Sequence, residues 1–96
     1  MSLIANLNKA FESRVRLGVM SALMVEAELD FNALKELLAV SDGNLASHVR
    51  ALEEAGFVEV QKSFVGRKPN TRYALTAKGR QAFHEHLQGL EKLLGR

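Results

Sequence analysis

The chain contains no cysteine and no tryptophan, and only one proline and one tyrosine among its 96 residues. Without cysteine there is no disulfide, no thiolate nucleophile and no Cys-based zinc or iron–sulfur site, a composition compatible with a reducing compartment. Also missing is any uninterrupted apolar run near the roughly 20 residues that span a bilayer. The opening MSLIANLNK lacks the charged start and long apolar centre of a signal peptide. A cytoplasmic protein without membrane contact is the expectation. Low-complexity tracts are absent as well, and with 47% apolar and 25% charged residues the composition is that of a folded domain. The length predicts one domain over residues 1–96, with a single modest core and no room for a separate catalytic unit.

The most telling absence is local. No Asp or Glu occurs between Val60 and His84, whereas Lys62, Arg67, Lys68, Arg72, Lys78 and Arg80 all fall there. All 11 acidic residues therefore lie elsewhere with the remaining basic ones, and the formal net charge of +2 hides a strong asymmetry. A one-signed patch of this kind is the electrostatic footprint of a polyanion partner. Its centre, FVEVQKSF followed by VGRKPN and TRYALT, reads as two β-type runs joined by a basic loop containing Gly66 and Pro69. That pattern predicts a β-hairpin with a charged tip. A hairpin charged merely for solubility would more commonly mix both signs.

Around the hairpin the periodicity is helical. Ser13 is a suitable N-cap for a helix bearing Val15, Val19 and Leu23, with Met20 and Met24 beside them, to about Glu26. Gly18 inside it costs about 1 kcal/mol relative to alanine, which predicts close approach by a neighbouring helix. Upstream, Leu3, Ile4 and Leu7 form a short apolar lead-in, expected to pack on the core or on a partner subunit. FNALKELLAV predicts a short second helix through Phe31, Leu34, Leu37 and Leu38, and Ser41 caps a third with Leu45, Val49 and Leu52 buried, stopping at Gly56. The tight turn between the second and third helices makes them a helix-turn-helix. Thr76 caps a last helix from about Ala77 to Leu94. The expected order is α-α-α-β-β-α, mainly α with a hairpin, with a very short strand near Leu29 to Phe31 completing the sheet.

With its apolar stripe inward, the third helix turns Gly43, Asn44, Ser47, Arg50, Ala51 and Glu54 outward, with His48 at the flank. Short polar side chains there suit close approach to the major groove, where amides, hydroxyls and guanidinium groups match the base edges. A plain amphipathic helix with a solvated face would look similar. The basic hairpin immediately after it favours DNA.

LEEAGFV at 52–58, GRKPNTRYALT at 66–76 and TAKGRQAF at 76–83, in this order of elements, resemble winged helix-turn-helix transcriptional regulators of the broad MarR/ArsR type. The likeness runs from about Ala10 onward and is nearest to the compact group made of one winged-helix domain with one C-terminal helix. It implies a recognition helix over about 42–55 that places Asn44, Ser47, His48 and Arg50 at DNA. It also implies a wing over about 62–72 whose Lys62, Arg67, Lys68 and Arg72 meet phosphate or the minor groove. Two features depart from an ideal DNA reader. Asp42, Glu53 and Glu54 accompany the single basic Arg50 on the recognition helix, and Lys78 with Arg80 oppose the macrodipole at the start of the last helix.

On that last helix Phe83, Leu87, Leu90 and Leu94 recur on one stripe, with Leu93 adjoining. A terminal helix has little core of its own to cover, so the stripe is expected to be a homodimer interface, which suits a two-fold DNA site. Catalysis finds no support. Glu53 and Glu54 point about 100° apart and are not an acid/base pair, and the scattered glycines form no phosphate loop. His84 and His86 point about 200° apart and cannot chelate one metal within the chain; the resemblance leaves an intersubunit site with Glu85 as the only metal arrangement. No cofactor is implied. The expected function is a homodimeric, sequence-specific regulator that binds double-stranded DNA. The alternatives are a winged-helix protein-interaction module, and an effector sensor whose ligand groove near the last helix would be lined by Met20, Met24 and Phe83.

Overall fold

The computed structural model describes residues 2–95. Four helices each begin at a side chain that accepts a backbone N–H of the first turn, a contact worth about 1 kcal/mol per helix. Ser13 caps α1 (Arg14–Val25), Asp30 caps α2 (Phe31–Leu38), Ser41 caps α3 (Asp42–Glu54) and Thr76 caps α4 (Ala77–Leu93). Three of these caps were legible beforehand; Asp30 was not. Between α2 and α3 the chain reverses through Ala39, a non-glycine residue at φ 53°, which completes the helix-turn-helix.

The expected short strand forms as β1 (Leu29–Asp30), and the hairpin as β2 (Val58–Val65) and β3 (Lys68–Leu75). The sheet is antiparallel in the order β1-β3-β2. The hairpin turn is tighter than the sequence suggested. Val65 pairs with Lys68, so only Gly66 and Arg67 turn the chain, with Gly66 at φ 67°. Pro69 lies within β3 opposite Phe64. It is tolerated because β1 reaches only Tyr73 and Arg72, leaving the other side of β3 at Pro69 unpaired, where a missing N–H breaks no ladder.

The core joins Val15, Val19, Met20 and Leu23 of α1 to Leu34, Leu45, Val49 and Leu52 of the helix-turn-helix, and to Phe57, Val58, Tyr73 and Phe83. At Gly18 the Leu38 side chain of α2 occupies the space a Cβ would need, 2.7 Å away, the close helix approach that the glycine predicted. A second close approach sets the root of the hairpin. A Cβ on Gly79 would fall on the Phe57 carbonyl, 2.7 Å from its carbon. There Thr76 Oγ1 accepts the Gly79 N–H at 2.8 Å and donates to the Gly56 carbonyl at 2.6 Å.

The N-terminal segment is anchored otherwise than expected. Leu3 and Ile4 are exposed, and the anchor is Phe11, in a 3-10 turn (Lys9–Phe11). Its ring packs 5.2 Å from Phe57, 5.2 Å from Phe83 in a T-shaped arrangement, and 5.3 Å from His86. Such aromatic pairs contribute about 0.5–1.5 kcal/mol each beyond area burial. Phe83 is therefore a residue of the domain's own core, 1% exposed, which corrects its assignment to a subunit interface. Met20 and Phe83 are both fully packed and Met24 is half-buried against the same core, so the ligand groove expected among them is filled by core packing.

Candidate nucleic-acid interface

Helix α3 buries Leu45, Val49 and Leu52 and exposes Gly43, Asn44, Ala46, Ser47 and Arg50. The N-terminal half of its outer face is thus small and polar, as its 3.6-residue period dictates. The expected electrostatic defect at Asp42 is largely offset. Lys35 Nζ of α2 lies 2.7 Å from Asp42 Oδ1, across the tight turn, so the helix start offers a carboxylate already paired. Glu53 and Glu54 are about three turns further along and remain exposed.

The hairpin stands beside one flank of α3. Alternate residues of the two strands share a face, and Val60, Lys62, Thr71 and Tyr73 line a cleft with Ala46, Val49, Arg50 and Glu53. Lys62 and Arg50 therefore meet in one concavity between helix and hairpin. Within it, burial and then the charge of Glu53 raise the Tyr73 hydroxyl above its ordinary pKa, so the phenol stays a neutral donor. Further out, Arg67 and Lys68 stand exposed at the tip beside Phe64 and Val65, which are 73% and 67% exposed.

Arg72 is not part of that concavity. It lies one residue from Thr71 and Tyr73, on the opposite face of β3, with Nε 2.9 Å from Glu28 Oε1. The geometry there is an ion pair without an aligned hydrogen bond, since Nε is buried and has no hydrogen-bond partner. It faces Glu28 at the β1 side of the sheet, away from the cleft beside α3. His48 sits at the other flank of α3. It is half-buried, and its Nδ1 accepts a hydrogen bond from Arg16 Nε of α1 at 2.9 Å. No local pattern marks Arg16 or Lys35, because each acquires its role from a partner in another helix.

Lys78 likewise answers a question the sequence raised. Its Nζ donates to the Ala55 carbonyl at the end of α3, 3.0 Å away, and lies 5.4 Å from the Phe57 ring centroid. A cation that opposes one helix's dipole thus stabilises the C-terminus of another, and no phosphate is needed to explain it.

On α4 the buried residues are Gly79, Phe83, His86 and Gly89. This face is rotated by about 60° from the leucine stripe at 100° per residue. Leu87 and Leu90 are half-buried, while Leu94 is 68% exposed. His86 is only 4% exposed and its Nδ1 accepts the Asn8 N–H at 3.0 Å, which removes it from any intersubunit metal site. Burial lowers its pKa, with Glu12 opposing in part. Among the described residues no group of three or more His, Asp or Glu side chains is placed to hold a metal ion, and no helix is long and apolar enough to cross a membrane.

Comparison with known proteins bears on this geometry. A family model described as a winged helix DNA-binding domain matches residues 15–94. An uncharacterized protein of Methanocaldococcus jannaschii is 40% identical over 85 residues, covering 88% of this chain and 92% of that protein. Among solved structures, a transcriptional regulator homologue from Pyrococcus horikoshii superposes with a TM-score of 0.87 at 28% identity, over 97% of this chain and 90% of that one. The PadR protein of Bacillus subtilis, solved in complex with operator DNA, superposes with a TM-score of 0.70 at 18% identity over 78% of this chain and 47% of its own, a likeness of fold.

Proposed function

This chain belongs to the winged helix DNA-binding domain family, and from that premise we propose that it is a homodimeric transcriptional regulator acting on double-stranded DNA in the cytoplasm. The observation that carries the reading is the small, polar, exposed N-terminal half of α3 standing beside a hairpin that carries no acid from Val60 to its end, with Arg50 and Lys62 in the cleft between them. A helix in the major groove reads bases through Asn44, Ser47 and Arg50, while Lys62, Arg67 and Lys68 neutralise phosphates along the wing. Arg72, paired with Glu28, is left out of this assignment, and His48 acts at the flank. The PadR complex supports the choice of duplex DNA by analogy of fold.

Sites selected by the purified protein from genomic fragments supply the preferred duplex. On it Asn44→Ala is expected to cost about 1–3 kcal/mol in binding while a scrambled duplex loses little. Equal losses on both would remove Asn44 from base readout.

The C-terminal end, over about 77–94, is the proposed dimerisation helix, now without Phe83. Leu94, Leu93, Leu3 and Ile4 are apolar and exposed, and Leu87 and Leu90 adjoin them on α4. Leu94→Asp is the cleanest probe because the side chain makes little contribution to the core. The expected outcome is a folded monomer in sedimentation, with operator affinity sharply reduced because two half-sites are no longer linked. A variant that remains dimeric places the interface elsewhere.

A further inference from the structure

We propose that Arg16 of α1, held by His48, contacts a DNA phosphate on the wall of the major groove opposite the wing. The inference rests on the reading that α3 enters that groove. A helix about 10–12 Å across nearly fills a groove about 12 Å wide, so its two flanks face the two phosphate walls. On α3 the flanks are occupied differently. Ala46, Arg50 and Glu53 lie toward the hairpin, and His48 lies toward α1, where Arg16 Nε meets its Nδ1 at 2.9 Å. The wing therefore serves one wall with Lys62, and Arg16 is the cation beside the other.

The chemistry of the pair suits the role. Using Nε for His48 leaves both terminal guanidinium nitrogens of Arg16 without a hydrogen bond or carboxylate partner among the described residues. A guanidinium with a free pair of donors and no internal counter-ion matches a phosphate, which it can bind bidentately. Because Nδ1 of His48 is the acceptor, the neutral ring carries its proton on Nε2, a second donor at the same flank. His48 is thereby a positioning residue. It restricts a long side chain that would otherwise lose rotamer freedom on binding.

The test is fluorescence anisotropy of labelled duplexes, preferred and scrambled, across a salt series, with melting by circular dichroism run on every variant. Arg16→Ala is expected to lower the log–log salt slope by about 1 on both duplexes. Arg16→Lys, which keeps the charge, is expected to retain the slope. His48→Leu removes the acceptor and is expected to weaken binding several-fold, and His48→Asn, with an amide near the position of Nδ1, is expected to recover most of that loss. Should Arg16→Ala fail to fold, Arg16→Gln removes the charge while keeping length and a donor, and its slope decides. An unchanged slope in the folded, charge-deleted variant overturns the contact. If in the same experiment Arg67→Ala lowers the slope, the wing reading survives that failure; if the wild-type protein binds neither duplex, the DNA reading beneath the inference falls.

Discussion

The hairpin obeys opposite rules at its two ends. From Gln61 to Pro69 every residue is exposed, and the tip carries charge and apolar surface that the domain itself does not use. At the root, Val58 and Tyr73 are buried, Phe57 is wedged against Phe11, and Thr76 ties the start of α4 to the end of α3. Both halves are one continuous antiparallel ladder. What separates them is what lies underneath. Contact with the core makes the root a stability element, whereas the tip is free to answer to an outside partner.

The contrast is broken most severely at Gly79. A methyl group there meets the Phe57 carbonyl, which is backbone and cannot turn aside, so Gly79→Ala is expected to cost about 3 kcal/mol or more in urea unfolding. A near-neutral result would mean the root is loose and the division between root and tip is overstated.

A smaller effect is expected from pH at His86 of α4, which packs on Phe11 behind that root. Burial holds His86 below its ordinary pKa of 6.5, so the folded chain binds this proton less readily than the unfolded one. Below about pH 6.5 the unfolded chain takes it first, and stability falls with falling pH until the folded His86 titrates too. The Asn8 N–H also loses its acceptor when Nδ1 is protonated. Melting temperature should therefore drop between about pH 7 and pH 5, and drop less in His86→Asn, where an amide replaces the titrating ring. Parallel profiles for the two proteins would assign the dependence to other groups.

The smallest change in stability is expected at the tip. Arg67→Ala and Lys68→Ala, each exposed, should alter unfolding free energy by no more than about 0.5 kcal/mol. Each should nevertheless lower the salt slope of DNA binding by about 1. Loss of stability without loss of slope would reverse the roles drawn for the two ends.

Much of this molecule is determined by its sequence alone, and the reason is locality. Ser13, Ser41 and Thr76 cap their helices through contacts within three residues, and the stripe Leu45, Val49 and Leu52 follows from helical period. The hairpin and the short strand at Leu29 were legible from β-type runs and a Gly-containing turn. The outward face of α3 follows from the same geometry. Tertiary structure decided the rest, wherever a residue's role depends on a partner distant in the chain. Phe83 has the spacing of an interface leucine and becomes core because Phe11 arrives from the other end of the sequence. Arg72 has the charge of a wing contact and is set beside Glu28, which lies just before β1. Lys35 and Arg16 are plain surface cations in the sequence and Lys78 a cation at odds with its own helix, and folding sets Lys78, Lys35 and Arg16 against Ala55, Asp42 and His48 respectively. Period and propensity specify which side of an element faces inward, but charge pairing and aromatic packing act through space, and only the assembled fold sets those distances.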